Sequence, residues 1–164
     1  MKTLTILRHA KSSWDFPDLT DHDRPLNKRG ERDAPMMGER LKAAGIRPSL
    51  ILGSSAVRAW RTARIVAKEI NYPIEFLQKE PGIYHAGVNK LLDIISDQDD
   101  GFNSIMIVGH NPGFTDLANE LVQGLTSNIP TAGFVSVMID SDGWDLRARR
   151  SAELIEYDFP KNKR

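Results

Sequence analysis

The sequence contains no cysteine. That excludes a disulfide framework, a thiolate zinc site and a cysteine nucleophile, so covalent chemistry here must use another side chain. No apolar run approaches the ~20 residues that cross a bilayer. The first residues, Met1 to His9, hold no signal-peptide core of ~7–15 apolar residues. A soluble cytoplasmic protein without a membrane partner is the expectation. Charge of one sign is also missing: 22 basic residues meet 22 acidic ones. Nucleic-acid binding needs a clustered basic excess, so no nucleic-acid partner is expected. A local anion pocket stays allowed, because net charge averages over it. The four histidines, His9, His22, His85 and His110, show no H-x-x-x-H or H-E-x-x-H spacing, so no metal or other cofactor is expected. There is no G-x-x-x-x-G-K-[ST] phosphate loop and no G-x-G-x-x-G dinucleotide turn. Gly53-Ser54-Ser55-Ala56-Val57 is not a G-x-S-x-G nucleophile elbow.

What is present reads as one domain, residues 1–164, within the usual size of ~100–200 residues. Leu4 to Leu7 opens as a short β-rich run. Residues 10–30 follow as a polar segment with Pro17, Pro25, Gly30 and the acids Asp15, Asp18, Asp21 and Asp23. That is a long surface loop, of the kind that often carries function. The spacing of Met37, Leu41 and Ala44 predicts a helix over 31–44, with Pro35 best placed in its first turn and Gly45 as its stop. Leu50 to Leu52 reads as a strand buried on both faces, with Ser54 or Ser55 capping the next helix. That helix is predicted over 56–71 from Val57, Trp60, Ala63, Val66, Ala67 and Ile70. Ile74 to Phe76 reads as a strand, Val88 to Ile95 as a helix, and Ser104 to Val108 as a strand. A helix carrying Phe114, Leu117, Ala118, Leu121 and Val122 follows. Phe134 to Ile139 and Ala152 to Tyr157 read as an antiparallel pair around Ser141-Asp142-Gly143. Alternating strands and helices give an α/β fold: a three-layer α/β/α sandwich on a mostly parallel sheet, antiparallel at its late strands.

In such sheets ligands bind beyond the carboxyl ends of the strands. Three ends carry unusual chemistry: Arg8-His9 after Leu7, Ser54-Ser55-Ala56-Val57-Arg58 after Leu52, and Gly109-His110-Asn111 after Val108. Singly, each residue has an ordinary structural role open to it. Arg58 is the exception in kind, because a cation in the first turn of a helix opposes the macrodipole unless an anion sits nearby. Together, two arginines and two histidines describe a cationic pocket in a neutral protein.

These residues resemble a known pattern. Leu7-Arg8-His9-Ala10 is similar to the R-H-G signature of the histidine phosphatase (phosphoglycerate mutase-like) superfamily, with Ala10 in place of the glycine. Ser54-Ser55-Ala56-Val57-Arg58-Ala59-Trp60-Arg61-Thr62-Ala63 resembles its S-S-x-x-x-R-A-x-x-T-A helix start. Arg24-Pro25-Leu26 with Arg29-Gly30 resembles its R-x-L-x-x-x-G stretch, and Val108-Gly109-His110-Asn111-Pro112 its second-histidine motif. The order and spacing agree along nearly the whole chain. The resemblance implies a phosphoglycerate mutase-like fold and a metal-independent phosphatase. His9 would be the nucleophile, with Arg8, Arg58 and His110 binding the phosphoryl oxygens. Glu80 is the implied general acid, with His85 and Asp15 as lesser candidates. Arg24 is either an extra anchor or a partner of Asp21 or Asp23. The 52 residues from Arg58 to His110 leave little room for a lid. That favours the small, open branch similar to SixA-type phosphohistidine phosphatases, whose substrate is a phosphorylated histidine of a signalling protein. The other readings are a small-molecule phosphoester phosphatase, a metal-dependent hydrolase and a non-catalytic phosphate-binding module.

Overall fold

The structure is a computed structural model and describes residues 1–163. Among the described residues, one six-stranded sheet runs in the order β3-β2-β4-β1-β5-β6. Its strands are β1 (Lys2–Arg8), β2 (Leu50–Gly53), β3 (Gln78–Lys79), β4 (Ser104–Gly109), β5 (Phe134–Asp140) and β6 (Ser151–Asp158). The first four are mutually parallel, β5 is antiparallel to β1, and β6 is antiparallel to β5. Four helices cover it: α1 (Lys28–Ala43), α2 (Val57–Glu69), α3 (Val88–Ser96) and α4 (Gly113–Leu121).

The layering follows from strand alternation, because successive side chains point to opposite faces. Leu7, Ile51, Met106 and Val108 pack with Met37, Leu41, Ala63 and Val66 of α1 and α2. Ile6, Leu52, Ile105 and Ile107 pack with Leu91, Ile95, Phe114 and Leu117 of α3 and α4. Two helical layers therefore sandwich the sheet, and the α/β/α reading holds. Register then decides which residues meet. Arg8 lies opposite Gly109, Gly53 opposite Val108, Leu7 opposite Phe134 and Phe134 opposite Asp158. The carboxyl ends of β2, β4 and β1 thus share one edge with the start of β5 and the end of β6.

Several boundaries differ from the sequence expectation. Helix α1 begins at Lys28, where the Asn27 side chain accepts the Gly30 N–H at 2.9 Å, so Pro35 sits inside the helix and not in its first turn. The carbonyl that Pro35 leaves without an intrahelical donor belongs to exposed Glu31, where water can satisfy it. Gly45 ends α1 as expected, at φ +75°, with Ile46 N–H bonded to Leu41 O and Gly45 N–H to Lys42 O, a Schellman closure. Residues Ile74–Phe76 form a 3₁₀ turn instead of a strand, because the edge strand falls later, at Gln78–Lys79. Neither Ser54 nor Ser55 caps α2; Ala56 holds that position without a side-chain bond, and Ser54 turns toward the strand ends. The β5–β6 connection, residues 141–150, is longer than a tight turn and contains a 3₁₀ turn at Leu146–Ala148.

Candidate active site

His9 follows β1 directly and is held by both neighbouring strands. Its N–H bonds Gly109 O at 2.9 Å and its carbonyl accepts Ala132 N–H at 3.0 Å. Thr62 of α2 fixes the next residue, accepting Ala10 N–H at 3.0 Å while donating to Arg58 O at 2.7 Å. The His9 ring is buried, and its Nδ1 lies 2.7 Å from Ala10 O. A carbonyl only accepts, so Nδ1 carries the proton and Nε2 keeps its lone pair in the neutral ring.

His110 follows β4, and its ring centroid is 5.2 Å from that of His9. Gly109 before it is a close approach: a Cβ there would stand 2.6 Å from both Ile83 Cγ2 and Phe114 Cζ. Ser54 Oγ accepts the Ala56 N–H at 3.3 Å and lies 2.7 Å from His110 Nε2. Its hydroxyl proton is then free to go to Nε2, which leaves His110 protonated on Nδ1. That Nδ1 is buried and unpaired among the described residues, as are Arg8 Nε and Arg58 Nε. The three strand ends thus bring together a nucleophilic ring nitrogen and three unpaired buried N–H donors.

Burial, chiefly, holds His9 down at a pKa of about 3, with His110, Arg58 and Arg8 adding to it. His110 is likewise at about 3, from burial first and then Arg58. Removal from water is a larger cause than the neighbouring cations in both cases. Both rings are therefore neutral at pH 7. An unfolded chain takes a proton on each below about 6.5. The histidine contribution to stability is thus complete above that pH and is lost as pH falls toward 3. Each contributes a slope of up to ~1.4 kcal/mol per pH unit. Urea denaturation at pH 7 and pH 5 should show His9→Gln losing about 2 kcal/mol less than the parent protein. An equal loss in both would contradict a neutral, buried His9.

Arg58, in the first turn of α2, is buried and already engaged with an anion. Its Nη1 donates to Asp21 O at 2.7 Å and its Nη2 to Asp21 Oδ2 at 3.0 Å. Asp21 also accepts from Tyr84 Oη at 2.6 Å and from Arg24 Nε and Nη2, both at 3.1 Å. The Tyr84 hydrogen bond and the Arg58 guanidinium hold the Asp21 carboxyl well below the usual carboxylate range. Arg24 also donates to Ser12 Oγ and Ser13 O, so it anchors the 10–30 segment and pairs with Asp21 as well. The Tyr84 ring lies edge-on to His110 at 5.4 Å and beside His85 at 3.9 Å. Glu80 is not drawn into this cluster; its carboxylate accepts the Gly82 N–H at 3.0 Å and caps its own 3₁₀ turn. Asp15 is exposed, and His85 stacks beside Tyr84 and adds to the lowering of the His110 pKa. Sequence reasoning missed Asp21 and Tyr84 as members of the site. Asp21 stood only as one of two partners for Arg24, and a run of loop acids carries no signal to single it out.

The described residues contain no helix long and apolar enough to cross a membrane. The model of the histidine phosphatase superfamily (branch 1) matches residues 4–79. An uncharacterized chloroplastic protein of Arabidopsis thaliana is 32% identical over 152 residues, covering 88% of this chain and 69% of that protein. Among solved structures, one assigned as the phosphohistidine phosphatase SixA of Agrobacterium tumefaciens superposes with a TM-score of 0.81 at 26% identity. That match covers 97% of this chain and 98% of that one. A protein histidine phosphatase SixA complexed with tungstate shares the fold, with a TM-score of 0.74 at 22% identity over 93% of this chain and 97% of that one. With the mutase-like sheet and these matches together, the chain belongs to the histidine phosphatase superfamily, as a hydrolase of SixA-type build.

Proposed function

We propose that residues 1–164 act as one phosphatase domain that removes the phosphoryl group from a phosphorylated histidine of another protein. His9 Nε2 attacks phosphorus as the substrate P–N bond breaks, giving a phosphohistidine on His9 and a free substrate imidazole. Water then attacks that phosphohistidine and releases inorganic phosphate. Arg8, Arg58 and His110 Nδ1–H bind the three phosphoryl oxygens. Phosphoryl transfer asks mainly for positioning and charge stabilisation, which these donors supply without a metal.

The observation that carries the choice of substrate is the state of the nearby carboxyl groups. Asp21 is kept ionised by Tyr84 and Arg58, and Glu80 is bonded to its own turn. Neither is poised to protonate a leaving group, and an alkyl phosphate needs that proton. A phosphohistidine protonated on its other ring nitrogen leaves as neutral imidazole and needs none. The SixA-type relatives, named as phosphohistidine phosphatases, support the same reading.

Intact-protein mass after brief mixing and an alkaline quench tests it. A phosphohistidine protein should label the enzyme with one phosphoryl group faster than a small aryl phosphate does, with or without EDTA. Faster labelling by the aryl phosphate would move the substrate to small phosphoesters. No adduct and no turnover with either donor would leave a phosphate-binding module, and loss in EDTA restored by magnesium would indicate a metal-dependent hydrolase.

A further inference from the structure

A second cationic cleft shares Arg8 with the His9 pocket. Its volume is about 300 Å³, and its lining includes Arg8, Lys11, Arg29, Asn128, Thr131 and Lys161. Register explains why these distant residues meet. Arg8 ends β1, residues 128–131 precede β5, and Lys161 follows β6 on the same edge of the sheet. Lys11 joins them because its carbonyl accepts the Asn27 N–H at 3.0 Å, which seats it beside the start of α1.

Four of the lining residues are cations and none is an acid, in a chain whose charges cancel. Arg29 is paired with Asp33, but Arg8, Lys11 and Lys161 have no ion-pair partner among the described residues, and gathering these like charges in one cleft is unfavourable unless an anion enters it. Scattered surface lysines and arginines would be ordinary, but two of these cations are fixed in place. Arg8 Nη1 donates to Ile129 O at 2.8 Å, while its Nε is buried and without a partner among the described residues. Arg29 is held by Asp33, 3.4 Å from its Nε, and reaches across to Thr131 Oγ1 at 3.3 Å. Lys11 and Lys161 form no ion pair among the described residues. Thr131 and Asn128 add neutral polar groups. Two ammonium groups and two hydrogen-bonded guanidinium groups lining one cleft suit a carboxylate or phosphate group.

We infer that this cleft is a second anion subsite, which takes a carboxylate or phosphate group carried by the substrate beside the phosphoryl group being transferred. Arg8 is shared between the two positions, so a substrate with both anions bridges them. Its part in turnover rests on the role given to His9 above; its binding of an anion does not.

Two measurements on the full chain decide the matter. Inorganic phosphate, titrated into ¹⁵N-labelled protein, should shift the amides of Lys11, Thr131 and Lys161 saturably. Those shifts should persist in Arg58→Ala, which weakens the His9 pocket. In Lys11→Ala/Lys161→Ala they should require about tenfold more phosphate, with the rest of the spectrum showing an intact fold. Kinetics supplies the second readout, using 4-nitrophenyl phosphate and the same ester bearing a ring carboxylate. The double variant should lower kcat/KM about tenfold for the carboxylated ester and leave the plain ester within about twofold. An accompanying drop with a phosphohistidine protein would place the second anion on an acidic side chain of that protein. A drop confined to the carboxylated ester would place it on a small substrate. Phosphate shifts confined to the His9 pocket, or cleft shifts unchanged in the double variant, would overturn the subsite. Failure of every donor to turn over would instead count against the phosphatase reading, and the phosphate titration would still decide the subsite.

Discussion

His9→Ala is expected to lower turnover by at least about 10⁴-fold and to abolish the phosphoryl adduct. The expectation comes from one atom. Ala10 O holds the ring proton on Nδ1, and burial keeps the ring unprotonated down to a pKa of about 3. Nε2 is therefore a lone pair beside guanidinium groups at any pH where the protein is used. Alanine leaves the phosphoryl binders Arg8, Arg58 and His110 in place, so affinity for inorganic phosphate should change far less than turnover. That contrast separates loss of a nucleophile from loss of the site. An adduct in purified His9→Ala, or activity within about a hundredfold of the parent protein, would remove His9 from the mechanism. Asp21, the carboxylate of the 10–30 segment that bonds Arg58, would then be the group to examine as the other potential nucleophile.

The parts of this site that were legible in the sequence are those that strand order alone brings together. Arg8, Arg58 and His110 each follow an apolar run, and a parallel sheet sends such runs to a common edge. The layering was legible for a related reason, since the helical spacing in α2 and the continuous apolar strands both report burial. What was not legible depends on side-chain direction inside loops. Asp21 sits among Asp15, Asp18 and Asp23, and only the fold of residues 10–30 about Arg24 aims that one carboxylate at Arg58. Glu80 shows the converse: its position along the chain fits a general acid, but Pro81 and Gly82 start a 3₁₀ turn whose N–H claims the carboxylate. Ser54 likewise had two outlets, the helix end and His110, and the shorter contact is to the imidazole. The cationic cleft was invisible because its members come from four separated segments, none of them basic enough to stand out alone.

Arg58→Ala carries the second-largest expected loss, about 10³-fold in kcat/KM, as for removal of an arginine that meets the transferred phosphoryl group. Its partner makes this a sharper test than a single deletion. Asp21 already occupies Nη1 and Nη2 of Arg58 through its carbonyl and carboxylate, which leaves Nε as the unpaired donor for a phosphoryl oxygen. The phosphoryl group must therefore share one guanidinium with a carboxylate that Tyr84 and Arg58 keep ionised. Asp21→Asn keeps the shape but removes the charge, so it should tighten inorganic phosphate by about fivefold, ~1 kcal/mol. That is a small figure for an ion pair because the Asp21 side chain is 45% exposed. The two members of one ion pair are thus expected to act in opposite directions, Arg58→Ala weakening phosphate and Asp21→Asn strengthening it. A purely structural bridge would weaken binding from either side. In the Arg58→Ala background the Asp21→Asn effect should vanish, since no guanidinium remains to compete for, and phosphate affinity measured across the four proteins closes that cycle.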